Sequence, residues 1–233
     1  MRKLAAVWCL MAMLFPGCSS AEKLSPEAQF KQSFPDKTYE TFKATSVPGV
    51  YELYNGRQIF YYLPSADVVL YGSLVTKDGV NLTRESHLQK MTPKFASLPL
   101  DQALKVGNGK KIVVEFTDPN CPYCRQGFEF FNKIKEDVTL YIFLVPLSAD
   151  SERKIRHILC SSDRVRAYEE VFSGKFDSGS GLNACKDPKV GEQMRAHRDL
   201  AQHVGLRGTP LFYLRGKVVD GFDPPALQTL LEE

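Results

Sequence analysis

The chain has 233 residues, 43% hydrophobic and 24% charged, which is enough apolar material for one large domain or two small ones. Lys and Arg total 30 against 27 Asp and Glu, and two of the positive charges, Arg2 and Lys3, stand at the very start. With a net charge of only +3, no basic stripe and no acidic tail, the electrostatic footprint of a nucleic-acid-binding protein is absent.

Residues 1–21 read as a secretory signal rather than as fold. Arg2 and Lys3 are followed by an uncharged, mostly apolar run from Leu4 to Phe15 and then by small residues from Gly17 to Ala21. The run is too short to span a bilayer as a finished helix. Two processing layouts are open. Ser19-Ser20-Ala21 offers small residues for cleavage before Glu22, whereas Phe15-Pro16-Gly17-Cys18 has the layout of a lipobox, which would end the leader at residue 17 with Cys18 lipidated. Both place the mature chain outside the cytoplasm. Of six cysteines, Cys9 goes with the leader and Cys18 is lost or lipidated. Cys121, Cys124, Cys160 and Cys185 remain, and thiols exported to an oxidising compartment are expected to pair.

Residues 22–42 are polar, with a short helix broken at Pro35. From Pro48 the pattern changes to strand. Val50 to Tyr54 leads to Asn55-Gly56, a strong hairpin signal, then to strands over Ile59–Leu63 and Asp67–Leu74. The aromatic residues here (Tyr51, Tyr54, Phe60, Tyr61, Tyr62, Tyr71) read first as core and edge packing. A helix over Asn81–Met91 with Thr83 as its cap, and a second over Pro99–Val106, lead to Gly107-Asn108-Gly109, read as a flexible joint. The expected division is an N-terminal domain at 22–82, a helical linker at 83–108 and a catalytic domain at 109–233. In the last, strands at Ile112–Phe116, Val138–Val145 and Leu211–Leu214 alternate with helices, which implies an α/β layer fold.

Cys121-Pro122-Tyr123-Cys124 follows a buried strand and opens a helix. A cysteine at a helix N-terminus lies among free backbone N–H groups at the positive end of the macrodipole, which stabilises thiolate over thiol. Pro122 suits the first helical turn, where a missing N–H costs nothing. The first cysteine can attack a disulfide and the second can resolve the mixed disulfide. A zinc site would need four ligands. Cys160 and Cys185 are far apart in sequence, and His87, His157, His197 and His203 show no ligand spacing, so neither metal nor cofactor is expected.

Gly208-Thr209-Pro210 precedes a strand, and a cis proline is expected there beside the dithiol, leaving the Thr209 backbone free to pair with an extended peptide. Strand alternation puts Val113, Glu115 and Thr117 on one face. Glu115 is either a buried proton acceptor for Cys124 with a raised pKa or an edge residue facing water. Cys160 and Cys185 read as a structural disulfide worth roughly 3 kcal/mol by chain entropy, with a second redox pair as the alternative.

These motifs, with Ser97-Leu98-Pro99-Leu100-Asp101 and Gly221-Phe222-Asp223-Pro224-Pro225, resemble the DsbC/DsbG family of periplasmic disulfide isomerases over nearly the whole mature chain. The resemblance implies a thioredoxin-like catalytic domain with a helical insertion, joined by a helix to a small α+β, cystatin-like dimerisation domain. It also implies a homodimer that binds misfolded disulfide-bonded exported proteins and a membrane electron donor of the DsbD type. Carried over, Cys121 attacks, Cys124 resolves, and Thr209 and Pro210, with Pro122 and Tyr123, contact substrate. Pro122 matches the DsbG-like dipeptide and Glu115 the acid of oxidase-type relatives, so isomerase, reductase and thiol oxidase of a DsbA-like role all stay open. A holdase chaperone or assembly factor is the reading from another class.

Overall fold

The computed structural model describes residues 24–233, so the leader, Cys9 and Cys18 lie outside the described residues. The chain folds as two compact units that divide between Tyr71 and Gly72.

In the first unit, helix α1 (Pro26–Ser33) is capped by Ser25, whose hydroxyl accepts from the Ala28 N–H. It covers an antiparallel sheet of β1 (Thr41–Ala44), β2 (Tyr51–Tyr54), β3 (Ile59–Leu63) and β4 (Val68–Leu70), in that spatial order. Period-2 alternation puts Leu53 opposite Phe60 and Tyr51 opposite Tyr62 on the face that packs Phe30. Most of the aromatic residues are therefore core, although Tyr71 is exposed. At the Asn55-Gly56 turn the Asn55 side chain accepts from the Arg57 and Gln58 N–H groups, and Gly56 takes a positive φ of 87°.

The second unit opens with α2 (Leu82–Met91). Its cap is Asn81, whose side-chain Oδ1 accepts from the Arg84 N–H, and not Thr83, whose hydroxyl accepts from the Leu74 N–H instead. Two 3₁₀ turns follow, Thr92–Ser97 and Leu100–Gln102. The second helix expected over 99–106 is not formed. Leu104–Val106 is strand β5, because Leu104 and Val106 flank an outward Lys105 and the tripeptide pairs antiparallel with Leu140–Ile142. Nor is Gly107-Asn108-Gly109 a free joint. A Cβ on Gly109 would lie 2.0 Å from the Asp137 carbonyl carbon, so glycine is required by close approach of two backbones. The 83–108 segment belongs to the second unit, where Met91, Phe95 and Leu98 pack against Phe116 and Phe143.

The sheet of this unit runs β5-β7-β6-β8-β9, with β6 (Lys111–Thr117), β7 (Val138–Leu144), β8 (Leu211–Leu214) and β9 (Lys217–Asp220). β6 and β7 are parallel, joined by α3 (Pro122–Asn132), and β8 pairs antiparallel to β6. Alternation along β6 splits the core. Val113 joins Phe131, Ile142 and Phe212 on one face, and Val114 and Phe116 join Phe143 and Leu211 on the other. Helices α4 (Ala149–Cys160) and α5 (Arg164–Phe172) form the insertion, and α6 (Pro188–Val204) and α7 (Pro224–Glu232) complete the layers.

His197 on α6 is fully buried. Its Nδ1 accepts from the Leu144 N–H at 3.0 Å and its Nε2 donates to the Gln102 carbonyl at 2.9 Å, so both bonds are made by the neutral ring. Burial holds its pKa below the ordinary 6.5. The unfolded chain then binds more protons just below that value, and this contribution to stability is complete above pH 6.5 and is lost as pH falls towards the folded pKa. Denaturant melts should show the wild type losing more stability between about pH 7.5 and about pH 5.5 than His197→Gln does. Equal losses would place the acid sensitivity elsewhere.

Candidate active site

β6 ends at Thr117, the chain turns through Asp118-Pro119-Asn120, and Cys121 is the N-cap of α3 in extended backbone (φ −77°, ψ 122°). Pro122 occupies the first helical position, which donates no helical hydrogen bond. The Cys121 side chain makes no capping bond. Its Sγ instead donates to the Thr209 carbonyl at 3.3 Å, on the loop where the Thr209–Pro210 peptide bond is cis. Both site cysteines are free thiols, Cys121 half-buried and Cys124 fully buried. Cys124 Sγ accepts from the Asp118 N–H at 3.4 Å. Pro122 and Tyr123 are exposed at the mouth of the site.

Below the dithiol is a group of buried polar side chains. Glu115 is fully buried on the central strand β6, between β7 and β8, so the water-facing edge position is excluded. Among the described residues neither of its carboxylate oxygens makes a hydrogen bond of good geometry, and the hydroxyls of Thr117, Tyr168 and Thr209 make none either, although those of Thr117 and Thr209 lie near the Cys124 sulfur. Burial pushes the Glu115 carboxyl up to about 7. Burial also pushes the Cys124 thiol well above its ordinary value, against the opposing pull of the Thr117 and Thr209 hydroxyls and the Asp118 N–H, while Glu115 adds to the upward push. Each such unpaired group costs about 1–3 kcal/mol, so a cluster of them calls for an explanation in chemistry.

A second network holds the loop before Cys121. The Asp118 carboxylate accepts from the N–H groups of Asn120 and Leu147 and from the Ser151 hydroxyl. Lys154, buried on α4, donates to Asn120 Oδ1 at 2.6 Å and to Asp177 at 2.8 Å. Arg125 on α3 donates two hydrogen bonds to the same Asp177 and one to the Pro119 carbonyl. The Arg125 guanidinium, with Lys154 second, holds the Asp177 carboxyl far below the usual carboxylate range. The helical insertion that carries Lys154 and Asp177 is closed by a disulfide between Cys160 and Cys185, with Cα atoms 5.9 Å apart. Among the described residues no cluster of His, Cys, Asp and Glu is placed to hold a metal ion.

The structure thus brings Cys121, Cys124, Thr209, Pro210 and Glu115 to one place, and Cys160 and Cys185 to each other. Sequence reasoning missed Asp118, Tyr168 and the Arg125–Asp177–Lys154 clamp. One signal was available: on α4, Lys154 stands among Ser151, Ile155, Ile158 and Leu159 on the buried face at helical spacing.

Residues 98–233 match the model of a thioredoxin-like domain, and residues 18–84 match that of the disulfide bond isomerase protein N-terminal domain. The chain is 30% identical over 218 residues to the probable thiol:disulfide interchange protein DsbC of Bordetella pertussis, covering 88% of this chain and 74% of the relative. It is 22% identical to the Salmonella typhimurium thiol:disulfide interchange protein DsbC over 100% of this chain and 97% of the relative. Among solved structures, a linker-deletion mutant of Proteus mirabilis ScsC matches with a TM-score of 0.53 at 18% identity, covering 64% of this chain and 84% of that one, which supports the fold alone.

Proposed function

The chain belongs to the DsbC family of thiol:disulfide interchange proteins, thioredoxin-fold oxidoreductases, and on that premise we propose that it reduces and isomerises non-native disulfides in exported proteins through Cys121 and Cys124. The observation that carries the assignment is the asymmetry of the pair: one half-buried sulfur 3.3 Å from a backbone carbonyl, the other sealed beneath it.

The Cys121 thiolate attacks one sulfur of a client disulfide, and the other client sulfur leaves as thiolate, giving a mixed disulfide. In isomerisation a second client thiolate attacks that bond, forms a new client disulfide and regenerates the Cys121 thiolate with no net redox change. In reduction Cys124 passes its proton to Glu115 and attacks Cys121 Sγ. The product is the Cys121–Cys124 disulfide, and the client thiolate departs. An external dithiol donor of the DsbD type returns the pair to the reduced state. Thr209 and Pro210, with Pro122 and Tyr123 at the rim, contact the client backbone next to its oxidised cysteine. The Cys160–Cys185 bond is structural. The first unit dimerises the protein, and the working compartment is the periplasm, reached through the leader, with Cys18 a membrane tether if it is lipidated. Among the described residues no helix is long and apolar enough to cross a membrane.

The test is reactivation of a scrambled disulfide-bonded substrate by the chain from Glu22 onward in a fixed glutathione buffer, with Cys121→Ala as the control. Recovery that disappears in the variant is the expected result. No recovery, with rapid oxidation of a reduced substrate, would move the protein to the oxidase class. Recovery that survives the variant would favour a holdase.

A further inference from the structure

Next to the redox centre is a groove lined by Val145, Leu147 and Leu206 together with Gly208, Arg198 and Arg207. Two connections tie it to the chemistry. Gly208 immediately precedes Thr209, whose carbonyl meets Cys121 Sγ, and the Leu147 N–H donates to Asp118, three residues before Cys121. Consecutive Cα atoms are about 3.8 Å apart, so the groove begins within one or two residues of the attacking sulfur.

The composition of the groove is unusual for an internal packing defect. Leu147, an apolar side chain that lines the groove, is 61% exposed. Arg125, Arg153, Arg156 and Arg166 each pair with a carboxylate of their own chain. Arg198 and Arg207, like Arg195 and Arg215, make no ion pair or hydrogen bond among the described residues, and it is Arg198 and Arg207 that share one groove. Two guanidinium groups sharing a concave surface repel each other unless an anion joins them. A forked, planar cation suits a carboxylate.

We propose that Arg198 and Arg207 determine client specificity, and that the groove takes the extended segment flanking a client's oxidised cysteine, favouring apolar residues interspersed with Asp or Glu. The proposal rests on the interchange reading, because the segment must be held while Cys121 is joined to its cysteine. An extended chain advances about 3.3 Å per residue, so a client carboxylate a few residues from the cysteine reaches the arginines. Charge complementarity of this kind acts on encounter and selection, and salt weakens it.

The experiment compares three disulfide-linked peptides that differ only in bearing Glu, Gln or Lys close to the cysteine, reduced by the full exported protein. The expected order of kcat/KM is Glu, then Gln, then Lys, with Glu over Lys by about fivefold or more, shrinking at high salt. In the Arg198→Glu, Arg207→Glu double variant the order is expected to invert, while thermal unfolding and the reduction potential of the Cys121–Cys124 pair report that the fold and the dithiol are intact. Equal rates for the three peptides in the wild type, or an order unchanged in the variant, would overturn the proposal. Reduction of none of them, or reduction that survives Cys121→Ala, would instead sink the interchange reading on which it rests.

Discussion

Replacing Glu115 with glutamine is expected to stabilise the protein by about 3 kcal/mol at about pH 8 and to leave it almost unchanged near pH 4.5. The carboxyl is raised from 4.5 to about 7 by burial, which outweighs the opposing pull of the nearby Thr117 hydroxyl, and among the described residues no cation offsets it. The folded state therefore binds its proton more tightly than the unfolded state. Below pH 4.5 both states carry the proton and the penalty is absent. Stability falls as pH rises through the window between 4.5 and about 7, and above that the full cost of burying the charge applies. At about 1.4 kcal/mol per pH unit the window amounts to about 3 kcal/mol. Glutamine is neutral throughout and about as poorly hydrogen-bonded as the protonated acid, so the gap between variant and wild type should open with pH. A gap that is the same at both ends of the range would mean that Glu115 is not ionising inside the fold.

The same substitution is expected to slow the Cys124 step by roughly a hundredfold, the range of a positioned proton acceptor. Burial holds Cys124 as a thiol, and its proton must leave before its sulfur can attack. A carboxyl poised at about 7 takes that proton at working pH; an ordinary carboxyl near 4.5 would hold it too weakly. The readout is the pH profile of single-turnover release from a mixed disulfide. The wild type should show a break near pH 7 that Glu115→Gln lacks. A purely structural Glu115 would change the melts and leave the break in place.

How far the sequence alone reaches is shown by which contacts are local. The strand before Cys121, the helix after it and the side of β6 that carries Glu115 follow from residue type and period-2 alternation, which short-range patterning reports. Whether Glu115 faced core or water did not follow, because it depends on β8, nearly 100 residues away, closing the second edge of β6. Leu104–Val106 failed for the same reason: three residues carry too little periodicity to separate strand from helix, and pairing with β7 decides. Asn81 and Thr83 are both competent caps, and the choice was made by Leu74, whose N–H takes the Thr83 hydroxyl. β1 escaped notice because Thr41–Ala44 is short and half exposed. Helical spacing puts Lys154 on the apolar face of α4, but its partners Asn120 and Asp177 lie 34 and 23 residues away in sequence, and no local pattern pairs them with it.

That clamp leads to an asymmetric pair of expected costs: about 3 kcal/mol for Asp177→Ala and about 1–2 kcal/mol for Lys154→Met. The Lys154 side chain is 3% exposed and that of Asp177 is 47% exposed. Removing the acid leaves a buried ammonium with Asn120 and, at 3.5 Å, Asp150, and it leaves Arg125 without its two hydrogen bonds. Breaking a buried pair in this way costs about 3–5 kcal/mol, and solvent screening at the exposed carboxylate puts the value at the low end. Removing the lysine instead takes the desolvated charge out altogether. What remains is a carboxylate that water and Arg125 can satisfy and one unsatisfied Asn120 oxygen. Denaturant melts of the two single variants decide the matter, and a larger loss for Lys154→Met would show that the ammonium is better hydrated than its burial implies. Because the Asp177 carboxyl is held below its unfolded value of 3.8, the Asp177→Ala deficit should be constant above about pH 5 and close only as acid protonates the carboxylate. Both variants also loosen Asn120, the residue before the attacking cysteine. Interchange rates should therefore fall together with stability even though neither side chain touches a sulfur.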